Sequence, residues 1–431
     1  MSISPAKHSL TEGCIESVSF RSYNPAGRVE LAYKIGGERI KQLRGHGRLL
    51  VQPVVDLRAY RVRAVVDWVK VSVSTNERCD HTAIQAVVAP HLGSRPSVAG
   101  QNKDEKGKST DFVVTLQEPK GHLLGKIDTA LRWSPLIEAG PTPVAMEVAV
   151  DFYAKDKTVV TRQRMVALLQ QHFLPTHAAW SHKRGKPRST VTRYAPKVKV
   201  VRNRAGKRVE KRDWSETFRF EDEEEIGHRA FVDGTYYVGP KNGPVSWRIQ
   251  DKTTDDRKGG RARALPEAEH RARIEVTLTG KAFRDLELFT VSDLMAFKFM
   301  TLRKRYFRFF TATLPTWRND VAPLPALVNR RLREGYWRTF TETGVLGVLR
   351  LDEKQAKIRS SANTAKPTAQ RRRKANGRLE RHQVGRRPWQ KMTEEVPHDW
   401  DMGQQGYLGA FNELNDRVRH ALEDLNLAPK A

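Results

Sequence analysis

The segment VAMEVAVDFY at Val144–Tyr153 constrains the fold more strongly than any other, because apolar side chains recur at every second position. A repeat of two residues is typical of a β-strand, in which successive side chains point to opposite faces of the sheet. One face of this strand would be apolar, and the other would carry Glu147, Asp151 and Tyr153. We therefore expect a sheet that packs one face in the core and presents polar side chains on the other.

Other segments show the periodicity of strands or helices, and the turn sequence GPKNGP between two of them indicates a hairpin. Strands are predicted at Ala64–Ser74, Asp111–Leu116, Phe231–Val238, Val245–Ile249 and Ala272–Thr279. Helices are predicted at His81–Pro90, Thr161–Phe173, Val291–Phe310 and Asn412–Leu425, with a polar loop at Ser94–Thr110. This order predicts an α+β fold, in which helices pack on one face of a mainly antiparallel, ferredoxin-like sheet.

Composition divides the 431 residues into five regions. They are an accessory segment at 1–63, a main domain at 64–311 with a basic arm at 183–220, a C-terminal part at 312–352, a basic flexible linker at 353–390 and a C-terminal region with a helix at 391–431. The predicted chain is thus an α+β domain followed by a basic C-terminal extension.

Positive charge dominates the composition, since 77 Lys and Arg residues against 49 acidic residues give a formal net charge of +28. The excess is concentrated between Lys183 and Arg212, where Glu210 is the only acidic residue. Such a run repels itself unless a polyanion neutralises it, so we expect it to bind the phosphates of DNA. The candidate DNA contacts are Lys183, Arg184, Lys186, Arg188, Arg193, Lys197, Lys199, Arg202, Arg204, Lys207, Arg208, Lys211 and Arg212.

Several classes of protein are disfavoured. Cys14 and Cys79 are too few for a disulfide framework or a zinc knuckle, which suggests a reducing cytoplasm. The first residues lack the features of a signal peptide, and no segment approaches the ~18 apolar residues of a membrane span. No glycine-rich loop ends in Gly-Lys-Ser/Thr, so an ATP-driven motor is disfavoured. We therefore expect a cytoplasmic protein that binds nucleic acid and does not bind membranes.

Three acidic residues interrupt otherwise apolar strands, namely Glu147, Asp151 and Glu275. Any one of them could be an ordinary polar residue on a solvated face. Glu147 and Asp151 are separated by about 13 Å along one strand, so they could share an ion only with help from a neighbouring strand. Glu275 could supply that help, and oxygen ligands of this kind suit Mg²⁺ or Mn²⁺. Arg248 and Arg273 are candidates to neutralise charge on phosphorus, or to pair with these carboxylates.

Tyrosines are the candidate nucleophiles towards phosphorus. Counting across the hairpin places Tyr237 on the face of Arg248 and Gln250, and Tyr236 on the opposite face. Tyr153 shares its face with the acidic residues of its own strand. The pair of histidines around one hydrophobic residue that many nicking enzymes use to hold a metal does not occur in the chain, which disfavours that class of nickase.

Four segments resemble the replication initiators of filamentous phages and the related rolling-circle initiators of plasmids. They are VDWVKVSV, MEVAVDFY, GTYYVGPKNGPVSWRIQDK and RARIEVTLTG, and with the helix that follows them they cover roughly Val66 to Phe310. The resemblance implies a phage or prophage endonuclease that nicks one strand of a supercoiled origin, with the host helicase and polymerase as partners. A tyrosine would stay linked to the 5′ phosphate, free a 3′ hydroxyl and later rejoin the strand. Glu147, Asp151 and Glu275 match the acidic positions implied to hold the metal.

The chain departs from this family at Gln250, where the pattern similar to WRIQDK usually has the nucleophilic tyrosine. Either Tyr237 or Tyr153 has taken over, or the chain is a regulatory protein that binds origins without nicking them. An RNA-binding protein would fit the charge but would not explain the carboxylates. Because the acidic strand residues are all present, we expect nicking to be retained.

Overall fold

The structure is a computed structural model. It describes residues 13–22, 27–36, 48–92, 96–176, 188–193, 197–202, 208–213, 216–221, 231–240, 243–257, 261–315, 326–362 and 408–427. The strands are β1 Ile15–Ser22, β2 Gly27–Ile35, β3 Arg48–Pro53, β4 Tyr60–Cys79, β5 Ser97–Gln101, β6 Ser109–Gln117, β7 Ile137–Ala154, β8 Arg188–Arg193, β9 Lys197–Arg202, β10 Arg208–Asp213, β11 Glu216–Glu221, β12 Thr235–Val238, β13 Val245–Lys252, β14 Thr254–Arg257, β15 Arg261–Ala264, β16 Arg271–Thr279, β17 Phe310–Pro315 and β18 Leu408–Ala410. The helices are α1 His81–Leu92, α2 Gly121–Arg132, α3 Val159–His172, α4 Gly280–Arg284, α5 Val291–Ala296, α6 Thr301–Tyr306, α7 Ala326–Ala362 and α8 Asn412–Glu423.

A nine-stranded sheet forms the centre of the molecule, in the order β11-β8-β12-β13-β16-β7-β4-β6-β5. All of its neighbouring strands run antiparallel. The α+β class and the mainly antiparallel sheet are therefore confirmed. The alternation in β7 is also observed, since Met146, Val148, Val150 and Phe152 are completely buried in the apolar core.

A second sheet has five strands in the order β1-β2-β3-β17-β18. It combines strands from residues 1–63 with β17 and β18, which follow much later in the chain. The regions that composition separated as 1–63, 312–352 and 391–431 thus contribute to one sheet.

Helix α3 lies between the two sheets, in contact with β2 on one side and with β7, β13 and β16 on the other. Its buried residues include Met165, Leu168 and Leu169, but also Gln163 and His172, so they cover the whole circumference. A helix buried on all sides does not need the amphipathic pattern of a surface helix. Arg162 fastens α3 to the sheet, because its guanidinium forms a buried ion pair with Asp251 at 2.5 Å.

Two predicted elements were wrong. The helix predicted over Val291–Phe310 is divided into α5 and α6, and β17 begins at Phe310. Phe299, Phe307 and Phe309 are all buried within this segment, and one continuous helix could not direct them into the core while keeping a polar face. The predicted loop Ser94–Thr110 contains the edge strand β5, whose backbone pairs with β6.

Helix α7 is bent at Gly344, which has the left-handed value φ = 67°. A Cβ atom there would lie 2.4 Å from the backbone oxygen of Gln171, so only glycine allows this close approach to the end of α3. Helix α7 extends to Ala362, and the rest of the predicted basic linker lies outside the described residues. Within the described part of the chain, no helix combines the length and apolarity needed to span a bilayer.

Candidate active site

Three carboxylates from three adjacent strands converge on the polar face of the nine-stranded sheet. They belong to Asp67 in β4, Glu147 in β7 and Glu275 in β16. One oxygen from each lies within 4.8 Å of the others. Glu147 and Glu275 are buried, with exposed fractions of 6% and 1%, and Asp67 is half-buried. We call these three residues the carboxylate triad.

Asp67 joins the triad because of an irregularity in the pairing of β4 with β7. Val66 is opposite Val148, but Trp68 rather than Asp67 is opposite Glu147, so Asp67 is the extra residue of a β-bulge. A bulge redirects side chains that simple alternation would place elsewhere. It allows Asp67 and Trp68, two consecutive residues, both to approach Glu147.

Glu147 is held by three donors. Trp68 Nε1 donates to Glu147 Oε1 at 3.0 Å, Thr277 Oγ1 donates to Oε2 at 2.5 Å, and Arg248 lies 3.4 Å from Oε1. Burial, and then repulsion by Glu275, raise the pKa of Glu147 to about 7, although Arg248 and Thr277 oppose the rise. Glu147 therefore carries a partial charge near neutral pH, and a nearby cation would complete its ionisation.

Glu275 accepts hydrogen bonds from two side chains of the adjacent strand β13. Arg248 donates through Nε to Glu275 Oε2, and Gln250 donates through Nε2 to Oε1 at 3.0 Å. Burial lowers the pKa of Arg248, but attraction to Glu275 and Glu147 outweighs burial and holds that pKa above its ordinary value. Arg248 thus bridges two members of the carboxylate triad.

Asp151 is not part of the carboxylate triad. Arg273 binds it in a bidentate ion pair, with Nη2 at 2.7 Å from Oδ2, and Arg271 Nε lies 3.1 Å from the same oxygen. Two guanidinium groups therefore neutralise Asp151, which corrects the expectation that it would share an ion with Glu147 and Glu275. Arg273 also reaches Asp67 at 2.8 Å. Burial raises the pKa of Asp67, but Arg273 outweighs burial and keeps that pKa below its ordinary value.

The carboxylate triad fits a small divalent cation in its ligand chemistry, because Mg²⁺ and Mn²⁺ prefer oxygen donors and are often held by a few carboxylates together with waters. The sequence matches no family model and no protein of curated function.

The two candidate nucleophiles differ in their surroundings. Tyr237 in β12 is opposite Arg248 in the register and half-buried, and its phenol interacts electrostatically with Arg248. Tyr153 instead donates to Asp151 Oδ2 at 3.5 Å. Burial, followed by the negative charge of Asp151, raises the pKa of Tyr153 and makes its phenolate harder to form.

Two further tyrosines near the end of the chain's main domain and in the hairpin, Tyr306 and Tyr236, are directed into the core. Tyr306 is completely buried, and Tyr236, opposite Ile249, packs against the apolar cluster.

The basic arm contains two antiparallel ladders, β8 with β11 and, nested between them in the chain, β9 with β10. Strand β8 also pairs with β12, where Arg188 is opposite Tyr237. The arm therefore starts beside a candidate nucleophile. Of the candidate DNA contacts, the described strands contain Arg188 and Arg193 in β8, Lys197, Lys199 and Arg202 in β9, and Arg208, Lys211 and Arg212 in β10. Lys183, Arg184, Lys186, Arg204 and Lys207 lie outside the described residues.

Sequence reasoning missed Asp67, Trp68 and the role of Gln250. In the sequence, Asp67 is one of several polar residues of an alternating strand, and no turn residue marks it as the extra residue of a bulge. The weak indication is parity: the apolar residues Val69, Val71 and Val73 occupy odd-numbered positions, and regular alternation would bury Asp67 with them.

Proposed function

We propose that this chain starts rolling-circle DNA replication by nicking one strand of an origin, with Tyr237 as the nucleophile and Mg²⁺ or Mn²⁺ at the carboxylate triad. The observation that carries this proposal is the grouping of Asp67, Glu147 and Glu275 beside Arg248, which adjoins Tyr237. A buried carboxylate such as Glu147, whose pKa is raised by burial and by a neighbouring carboxylate, is costly for stability, and such groups are frequent where catalysis requires them.

In the proposed reaction, the Tyr237 hydroxyl oxygen forms a bond to the scissile phosphorus, and the bond from phosphorus to the 3′ oxygen breaks. The phenol gives its proton to solvent, and the leaving 3′ oxygen takes one and becomes a hydroxyl. A divalent ion at the triad would supply charge neutralisation on the phosphate. Arg248 offers a positive charge beside the phenol, and the reverse reaction, with the 3′ hydroxyl as nucleophile, rejoins the strand.

Tyr237 is preferred to Tyr153 because of the groups around each phenol. Arg248 connects Tyr237 to two triad carboxylates, whereas the Tyr153 hydroxyl contacts Asp151, which Arg273 and Arg271 already neutralise. The Gln250 amide donates a hydrogen bond to Glu275, so in this proposal Gln250 orients a carboxylate that would bind the metal and does not act as a nucleophile.

The remaining partners follow from the same proposal. The basic arm would bind the double-stranded origin and the single strand that nicking releases, since phosphate contacts by Lys and Arg provide most sequence-independent affinity. The freed 3′ hydroxyl would be extended by a host polymerase after a host helicase separates the strands. These partners would place the chain in a bacterial cytoplasm.

The test uses supercoiled plasmids whose inserts together cover the replicon that encodes the chain. With Mg²⁺, we expect open circles and a covalent protein–DNA species that survives denaturation. Tyr237→Phe should abolish this species, whereas Tyr153→Phe should retain it. An adduct that survives Tyr237→Phe and is lost with Tyr153→Phe would exchange the two roles.

A second candidate function is an origin-binding regulator without nuclease activity. It is favoured by Arg248 and Arg273, whose charges already compensate the carboxylate triad without a metal ion. Sequence-selective binding of the same plasmids that leaves every supercoil intact, with both Mg²⁺ and Mn²⁺, would support the regulator and reject the nickase.

A further inference from the structure

Three cations on the polar face of β4 have no ion-pair partner among the described residues. They are Arg61, Arg63 and Lys70, which lie on both sides of Asp67 in the sequence. Arg61 and Arg63 are exposed, and Lys70 is half-buried. From Arg61 to Lys70 the strand extends over about 30 Å, at about 3.3 Å per residue. Unpaired cations in a row of this length are suited to the repeating phosphates of a nucleic-acid strand.

Two aromatic rings on the same face are each covered by cations. The Tyr153 ring has the guanidinium carbon of Arg61 at 4.7 Å and that of Arg271 at 5.8 Å from its centroid. The Trp68 ring has Lys70 Nζ at 5.0 Å from its centroid. Both rings are partly exposed. A base can stack on such a ring when the cation over it moves aside to bind the phosphate of the same nucleotide.

The two rings lie on the strands that carry Asp67 and Glu147, one beside Glu147 and the other farther along. Tyr153 lies six residues along β7 from Glu147, which is opposite Trp68, so about 20 Å separate the two ring positions. Glu147 is level with Trp68, Asp67 and Glu275 lie between the two ring positions, and Arg61 is opposite Tyr153 in the register. A strand that stacked on both rings would therefore pass over Glu147 and Asp67.

We infer that the polar face of β4 and β7 binds a single strand of DNA, with unpaired bases on Tyr153 and Trp68 and phosphates on Arg61, Arg63 and Lys70. This inference rests on the proposed function, whose substrate form it specifies. The strand must be unpaired, because the faces of paired bases are stacked on one another and cannot reach the rings. The nicking step would thus act on DNA that is already locally opened at the origin.

The first experiment measures binding of a fluorescent single-stranded oligonucleotide of mixed sequence by anisotropy, in EDTA so that no cleavage occurs. For single strands, the slope of log K against log salt falls by about 0.7 for each phosphate contact removed. The triple variant Arg61→Gln, Arg63→Gln, Lys70→Gln should therefore reduce the slope by about 2. An unchanged slope would overturn the inference.

A matched control changes three exposed cations elsewhere, Arg28→Gln, Lys34→Gln and Arg58→Gln. Two of them lie in the second sheet and one precedes β4. This variant has the same loss of net charge, so it should keep the wild-type slope. If both variants reduce the slope equally, only net charge matters and the proposed surface is wrong.

A second pair of variants separates stacking from folding. Tyr153→Leu should weaken binding of the single strand about tenfold, since a stacked base contributes about 1–3 kcal/mol. Tyr153→Phe keeps the ring and should bind like the wild type. Equal affinity of Tyr153→Leu and Tyr153→Phe for the single strand would contradict a surface for unpaired bases. So would a duplex that binds the wild type more tightly than the single strand does and loses as much affinity in the triple variant.

The outcomes of these measurements are independent of nicking. Glu147→Gln should abolish nicking and should not weaken binding in EDTA, because it removes negative charge beneath the bound strand. Loss of nicking with intact single-strand binding would reject the proposed reaction alone. If the triple variant keeps the wild-type slope of log K against log salt while the wild type nicks DNA, only the proposed surface is rejected.

Discussion

Replacing Glu147 with Gln perturbs the carboxylate triad with little change in shape. Its carboxylate is buried and hydrogen-bonded by Trp68 and Thr277, and a Gln side chain can keep both contacts because the Thr277 hydroxyl can also accept. The pKa of Glu147 is raised from 4.5 to about 7, mainly by burial and by Glu275. Each factor of ten in a proton equilibrium corresponds to about 1.4 kcal/mol, so the ionised form costs about 3 kcal/mol in the folded state.

The direction of the pH dependence follows from proton binding. Between pH 4.5 and 7 the folded chain keeps the Glu147 proton while the unfolded chain loses it. The free energy of unfolding therefore falls as pH rises through this window, and the loss is complete above the folded pKa. In EDTA, the free energy of unfolding of Glu147→Gln minus that of the wild type should therefore increase by about 3 kcal/mol from pH 4.5 to pH 8.

The assay is urea unfolding of both proteins at several pH values, with and without Mn²⁺. Glu138→Gln is a matched control, because Glu138 lies on the same strand but is exposed. Mn²⁺ at 100 times its dissociation constant should stabilise the wild type by about 2.7 kcal/mol and should stabilise Glu147→Gln much less. A stability difference that does not change with pH would refute the buried, high-pKa Glu147 on which the reasoning depends.

Three further predictions concern the site and the fold. Arg248→Gln should raise the affinity for Mn²⁺ at least about tenfold in calorimetry, because two unit charges at 4 Å and an effective dielectric of 20 interact by about 4 kcal/mol. Unchanged affinity would mean that Arg248 does not compete with the ion. Gly344→Ala should destabilise the fold by at least about 2 kcal/mol in thermal unfolding, since its Cβ would meet Gln171 O at 2.4 Å. Gly335→Ala is the control, because it lies in the same helix with open space around it and should be neutral or stabilising. Equal effects of the two substitutions would contradict the close approach. Burial lowers the pKa of His172 to about 4, so the free energy of unfolding should fall by about 3 kcal/mol as pH falls from 6.5 to 4. His172→Gln should remove this dependence on acid. An unchanged dependence would mean that it arises from another group.

The sequence predicted the parts of the site that follow from strand alternation. Glu147 and Glu275 lie on the expected face, and the strand that carries Glu275 is adjacent to β7, as a shared ion would require. Tyr237 and Arg248 share a face, as counting across the hairpin indicated, and the structure makes them direct partners in the register. Regular geometry is sufficient to predict these contacts because each depends only on parity and register.

The remaining features depend on irregular geometry or on long-range packing. A bulge places Asp67 in the triad, and bulges leave no reliable pattern in a single sequence. Asp151 has the expected position on its face, but its neutralisation depends on where Arg271 and Arg273 direct their flexible side chains. The burial of α3 on all sides depends on a second sheet whose strands come from opposite ends of the chain.

The central claim is that three carboxylates from separate strands bind one divalent ion, and anomalous diffraction from crystals soaked in Mn²⁺ tests it most directly. We predict a single anomalous peak between Asp67, Glu147 and Glu275, about 2.1–2.2 Å from one oxygen of each, and its loss in Glu147→Gln crystals. No peak at this position, with the Arg248 guanidinium still bridging Glu147 and Glu275 at high Mn²⁺ concentration, would contradict the claim.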